Sequence, residues 1–134
     1  DATDDEVRAV SAITHAHSTS TEACVRMVHA ARELIAGASP REVASGCGVS
    51  VAKSCSEILS GGYVLYTFEA ALWCLANTHS YADCVLAAVN LGDDTDTTAA
   101  VAGALAGIVY GEDGIPAEWL SLLRGKDVIE ECLF

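Results

Sequence analysis

Residues 90–111 read NLGDDTDTTAAVAGALAGIVYG, and the stretch changes character once along its length. Three aspartates and three threonines fill positions 93–98, while Thr97 to Gly111 contains no charge. An uncharged run of that length is shorter than the roughly 20 residues a membrane span needs. Its small residues Ala99, Gly103, Ala106 and Gly107 instead predict a buried helix, Thr98 to Tyr110, approached closely by its neighbours and closed by Gly111. The polar half offers only oxygen ligands, the set that hard divalent ions such as Mg²⁺ prefer. One helix cap needs one or two such residues. Six exceed that need, which points to metal binding over a helix start decorated for capping and dipole reasons. An EF-hand is excluded, because a loop beginning at Asp94 has Ala99 where Gly is needed and Leu105 where Glu is needed.

Outward from this stretch the period is helical almost throughout. Thr3-Asp4-Asp5-Glu6 has capping-box form and predicts a helix to about Ala16. The same signal at Thr19–Glu22 opens a second helix, with Cys24, Met27, Val28, Ala31 and Ile35 on one face and a stop at Gly37. Ser39-Pro40-Arg41-Glu42 starts a third, interrupted at Gly46 and Gly48 before Val49–Leu59. Gly61-Gly62 is a stop, after which Leu65, Phe68, Leu72 and Leu75 form an apolar stripe ending near Asn77. Ser80–Asp83 opens the helix that runs into Asn90, Pro116 starts a short one through Leu123, and Asp127–Phe134 forms a last one. The expected class is all-α, one structural unit over residues 1–134 with seven or eight helices.

Composition narrows the function. Seven basic residues against nineteen acidic ones give a net charge of −12, which excludes non-specific nucleic-acid binding. The 51% apolar content is high for so charged a chain and suggests apolar surface meant for a partner segment. No two of the six cysteines form C-x-x-C, so a zinc or thioredoxin-like site is not expected. The acidic opening Asp1–Asp5 has none of the character of a secretory leader, and the expectation is a reduced, cytoplasmic protein without a membrane span. His29 and His79 read as structural, and His17 as a helix-end or surface residue. Trp73 and Trp119 read as core packing, Glu69 as a solvated helix position and Glu130-Glu131 as a solvated face.

Asn90-Leu-Gly-Asp-Asp-Thr-Asp-Thr97, the following Ala99–Gly107 run, Tyr110-Gly111 and Ile115-Pro116-x-x-Trp119 together resemble the C-terminal signature of the ADP-ribosylglycohydrolase family. Gly62-Tyr63-Val64 with Thr67–Cys74 is similar to its Gly-Tyr-Val…Glu-Ala-Ala segment, and Ser11–His15 to its Ser-Ala-x-Thr-His element. The resemblance implies an all-α fold and a site for two Mg²⁺ ions, with Mn²⁺ as the alternative, that releases ADP-ribose from a modified protein or small-molecule acceptor. It places metal ligands at Asp94, Asp96 and Thr97, with Asp94 and Asp96 serving catalysis and Asp96 touching both ions. Asp93, where many members carry Gly, would face solvent or stand behind the ligands. His15, Gly62 and Tyr63 would line the ADP-ribose site.

The same resemblance covers only the C-terminal half of the family's domain. Its other metal ligands come from a Thr-Asp-Asp-Thr motif that precedes the Thr-His element, and Thr3-Asp4-Asp5-Glu6 imitates that motif in the wrong place. The expected partners are therefore an ADP-ribosylated substrate and the N-terminal half, in cis or as a second chain, or else a second copy in a homo-oligomer. The alternative is a non-catalytic relative or remnant acting as a binding or structural helical protein, as some family members in the lens do.

Overall fold

The computed structural model describes residues 2–132. Among them are eight α-helices and no strand: α1 Asp4–Ala12, α2 Ser18–Ile35, α3 Pro40–Gly46, α4 Val64–Ala76, α5 Tyr81–Asn90, α6 Thr95–Tyr110, α7 Ala117–Leu122 and α8 Lys126–Cys132. The last predicted helix thus begins a residue early, and Leu133 and Phe134 lie outside the described residues. Two starts follow the sequence signals closely. Thr3 and Glu6 cap each other reciprocally at α1, and Ser39 and Glu42 do so at α3 with Pro40 in the first turn. Ser80 accepts from the Asp83 amide at the start of α5.

α4 is the centre of the core, with Phe68, Leu72 and Leu75 buried in one cluster with Val43 of α3, Cys84 of α5 and Leu105 of α6. α6 lies against both α4 and α5, and α2 packs on α1, α3, α4 and α6. The small residues of α6 do what their spacing predicts. A Cβ at Gly103 would stand 3.3 Å from the Tyr81 hydroxyl and 3.5 Å from Val85 Cγ2, so α5 lies close against this glycine. Gly107, by contrast, faces open space.

Three expectations need correction. α1 stops at Ala12, with Ile13 as its C-cap, so residues 13–17 form a linker and not the end of a helix. On α2, Leu34 is buried and Ile35 is 72% exposed. Spacings of seven and four put Ala23, Ala30 and Leu34 on the core side, and Ile35 falls past its edge. Residues 47–63 form a loop with a single 3₁₀ turn at Cys55–Glu57. That loop is pinned from two sides: Trp73 Nε1 donates to the Lys53 carbonyl over 3.1 Å, and the Lys53 ammonium pairs with Glu69. Glu69 is therefore an ion-pair partner, not a freely solvated position.

All six cysteines are free. Burial pushes the Cys74 thiol up to about 12 and the Cys84 thiol to about 11, which leaves both as protonated core residues.

α1 buries no side chain and is held to α2 by charge. Arg8 Nε meets Glu22 at 2.6 Å, His29 Nε2 meets Asp4 at 2.8 Å, and Arg32 donates to the Ala2 carbonyl. The hydrogen bond from His29 holds the Asp4 carboxyl below its usual range, and Arg8 does the same for Glu22. Because both are lowered, their contribution is present at neutral pH and is lost as the pH falls below the ordinary carboxylate range. Salt acts in the same direction: between about 0.1 and 1 M the screening length drops from ~10 to ~3 Å. Amide exchange in α1 should accelerate under either change while α4 amides hold. Equal response of the two helices would contradict a charge-held α1.

Candidate active site

The linker after α1, the loop before α4 and the first turn of α6 converge on one cavity of about 620 Å³. His15 and His17 enter its wall from the linker, Gly62 and Tyr63 from the loop, and Thr97 from α6. Much of the remaining lining is apolar, including Met27, Phe68 and Val101. The three residues expected at a substrate site therefore share a cavity with one of the three expected metal ligands.

On a helix, residues two apart such as His15 and His17 would point to different sides. Their backbone is not helical, and His17 itself is extended at φ −67° and ψ 136°. Both side chains line the cavity. His17 also caps α2, its Nδ1 accepting from the Thr19 amide over 3.1 Å. The predicted helix-end role is correct, but His17 and not Thr19 is the cap, and the T-x-x-E signal misplaced it by two residues. A neutral His17 must then carry its proton on Nε2, as a donor. His15 Nδ1 lies 3.0 Å from Thr14 Oγ1.

The acidic cluster folds as a turn and a helix start. Gly92 has φ +90° and Asp93 φ +52°, the left-handed region that Gly adopts freely and Asp tolerates. This backbone explains why Gly suits position 93. Asp93 is exposed. Asp94 is half-buried at the N-cap of α6, yet its carboxylate makes no capping bond to the helix. Its Oδ2 stands 3.3 Å from the point a Gly62 Cβ would occupy, so Gly62 leaves space beside that carboxylate. Asp96 is exposed in the first turn, where the helix dipole favours negative charge, and Thr97 is the cavity residue. Thr98 is fully buried, and its Oγ1 has no hydrogen-bond partner.

The donor set suits a hard divalent ion: two carboxylates and a hydroxyl within four residues, with the Asp94 carboxylate left uncommitted by its own helix. Among the described residues no group of three or more His, Cys, Asp or Glu side chains is gathered to hold a metal. Asp94, Asp96 and Thr97 alone would leave a hexacoordinate ion to take its further ligands from water or from elsewhere.

An all-helical fold with an Asp-x-Asp-Thr helix start facing a Gly-Tyr loop defines the class of protein. The chain belongs to the ADP-ribosylglycohydrolase family, whose sequence model matches residues 2–133. It is 42% identical over 92 residues to the ADP-ribosylarginine hydrolase Tri1 of Pseudomonas putida (strain GB-1), covering 69% of this chain and 25% of that protein. To the Serratia proteamaculans (strain 568) protein of the same name it is 47% identical over 77 residues, covering 58% of this chain and 21% of that protein. Its identity to the ADP-ribosyl-[dinitrogen reductase] glycohydrolase of Rhodospirillum rubrum is 33% over 126 residues, covering 90% of this chain and 43% of that protein. The chain spans less than half the length of each of these relatives. No helix among the described residues is long and apolar enough to cross a membrane.

His17 gives a direct check on the local geometry. His17→Ala removes the cap and should destabilise the fold by about 0.5–2 kcal/mol in urea unfolding, whereas His17→Asn, a strong capping residue, should recover most of that loss. Equal stability of the two variants would contradict the cap.

Proposed function

We propose that this chain forms the metal-bearing part of an enzyme that hydrolyses the bond between ADP-ribose and an acceptor. The observation that carries the reading is the shared cavity, which brings His15, Gly62, Tyr63 and Thr97 together beside Asp94. Asp94, Asp96 and Thr97 would hold Mg²⁺, with a second ion and Mn²⁺ as a substitute both compatible with the oxygen donors. When bound, the metal supplies positive charge that offsets the substrate's phosphates and polarises the bond to be cut. This is how a chain of net charge −12 accommodates an anionic substrate.

The chain's own residues do the rest by placement. Gly62 lets a ligand approach the loop backbone, Tyr63 and His15 offer polar tips at the cavity wall, and His17 Nε2–H is a further donor. The apolar lining shields the reacting bond from bulk water. The names of the Tri1 relatives favour ADP-ribosylated arginine as the acceptor. Completion of the metal site would come from the family's N-terminal half, in cis or as a second chain, or from a second copy. Exposed Ile13 and Tyr63 suit such a contact, and the six free thiols suit a cytoplasmic setting.

The test is release of ADP-ribose from an ADP-ribosylated arginine peptide, with this chain joined to the family's N-terminal half. Release should depend on Mg²⁺ and fall to background in Asp94→Ala with Asp96→Ala. Undiminished release after chelation, or by the double variant, would overturn the assignment.

A further inference from the structure

One buried polar side chain outside the ligand set stands between the two halves of the site. Ser60 is 2% exposed. Its hydroxyl donates to the Gly92 carbonyl over 3.0 Å, and its own carbonyl accepts from the Asp94 amide over 3.1 Å. These two bonds bracket the turn in which Gly92 and Asp93 both take left-handed backbone. On its other side Ser60 leads directly into Gly61-Gly62-Tyr63, where the Tyr63 amide donates to the Gly61 carbonyl over 2.8 Å. One residue thus ties the carboxylate turn to the loop that lines the cavity, and Gly62 lies against Asp94 as a consequence.

Resting on the metal reading above, we infer that Ser60 is a positioning residue, its hydroxyl fixing the turn so that the Asp94 carboxylate is held ready for a divalent ion. The turn carries a left-handed Asp93, and although the Asp94 carbonyl accepts from the Thr98 amide, the Asp94 carboxylate makes no capping bond to α6. Partners that orient metal ligands from behind typically account for 10–100-fold in affinity. The hydroxyl also satisfies a carbonyl at the inner side of the turn. Its removal leaves the Gly92 carbonyl without that partner, so the turn, and with it the adjoining bond from the Asp94 amide to the Ser60 carbonyl, opens more often.

Two readouts on the chain joined to the family's N-terminal half test this: Mg²⁺ titration by calorimetry, and amide exchange resolved by residue. Ser60→Ala should weaken Mg²⁺ binding about 10–100-fold and accelerate exchange at the Asp94 amide, with α4 core amides unchanged. Ser60→Thr, which keeps the hydroxyl, should stay near the parent in both. Parent-like Mg²⁺ affinity and Asp94 exchange in Ser60→Ala would overturn the inference. So would a loss accompanied by equal acceleration throughout α4, which marks a merely structural role. Failure of the parent chain to bind Mg²⁺ at all would overturn the metal reading itself. Parent binding that Ser60→Ala does not weaken would overturn only the part assigned to Ser60.

Discussion

Gly103 has no Cβ, and the Tyr81 hydroxyl stands 3.3 Å from where one would be. That spacing sets how closely α5 can lie on α6, and α4 closes over the same helix through Leu72, Leu75, Ala102 and Leu105 in one buried cluster. With α6 packed in this way, its first turn lies beside the loop that starts α4. Asp94 then meets Gly62, and Thr97 faces the cavity with Tyr63. A larger residue at position 103 would push α5 outward and release the constraint at its source.

Close packing brings a cost at the mouth of the helix. Asp93, Asp94 and Asp96 stand together on a chain of net charge −12. The helix N-terminus offsets part of the repulsion, since its unpaired amides carry roughly half a positive charge. It does so best for Asp96 in the first turn. Asp94, half-buried and free of a capping bond, is the carboxylate whose position the fold fixes without neutralising it. A divalent ion would relieve that charge, and an ion bound there would sit at the edge of a cavity with histidine, tyrosine and threonine in its wall.

Helix order, the two reciprocal caps and the stripe of α4 were legible in the sequence because each depends on neighbours within four residues. The pairing of Asp94 with Thr97 and the Gly-Tyr loop was legible only through family resemblance, since the two segments are about thirty residues apart and no local period links them. Other features were out of reach for stated reasons. The extended backbone at His17 is the local geometry of an N-cap, which the T-x-x-E pattern two residues later obscured. Ile35 lost its place to Leu34 because α2 is packed on several sides and its buried stripe is broad. The Ser60 hydroxyl has no sequence signature at all: its partner is a backbone carbonyl thirty-two residues on.

The central claim is that divalent ions bind where the start of α6 meets the Gly-Tyr loop. Mn²⁺ is paramagnetic and takes the oxygen donors that Mg²⁺ takes, so it can be located by its broadening of amide NMR signals in the assigned chain. The account predicts that sub-stoichiometric Mn²⁺ broadens Gly62, Tyr63 and residues 93–98 first, and that excess Mg²⁺ restores them. Broadening centred instead on Glu112-Asp113 or Glu130-Glu131, with residues 93–98 unaffected, would contradict it.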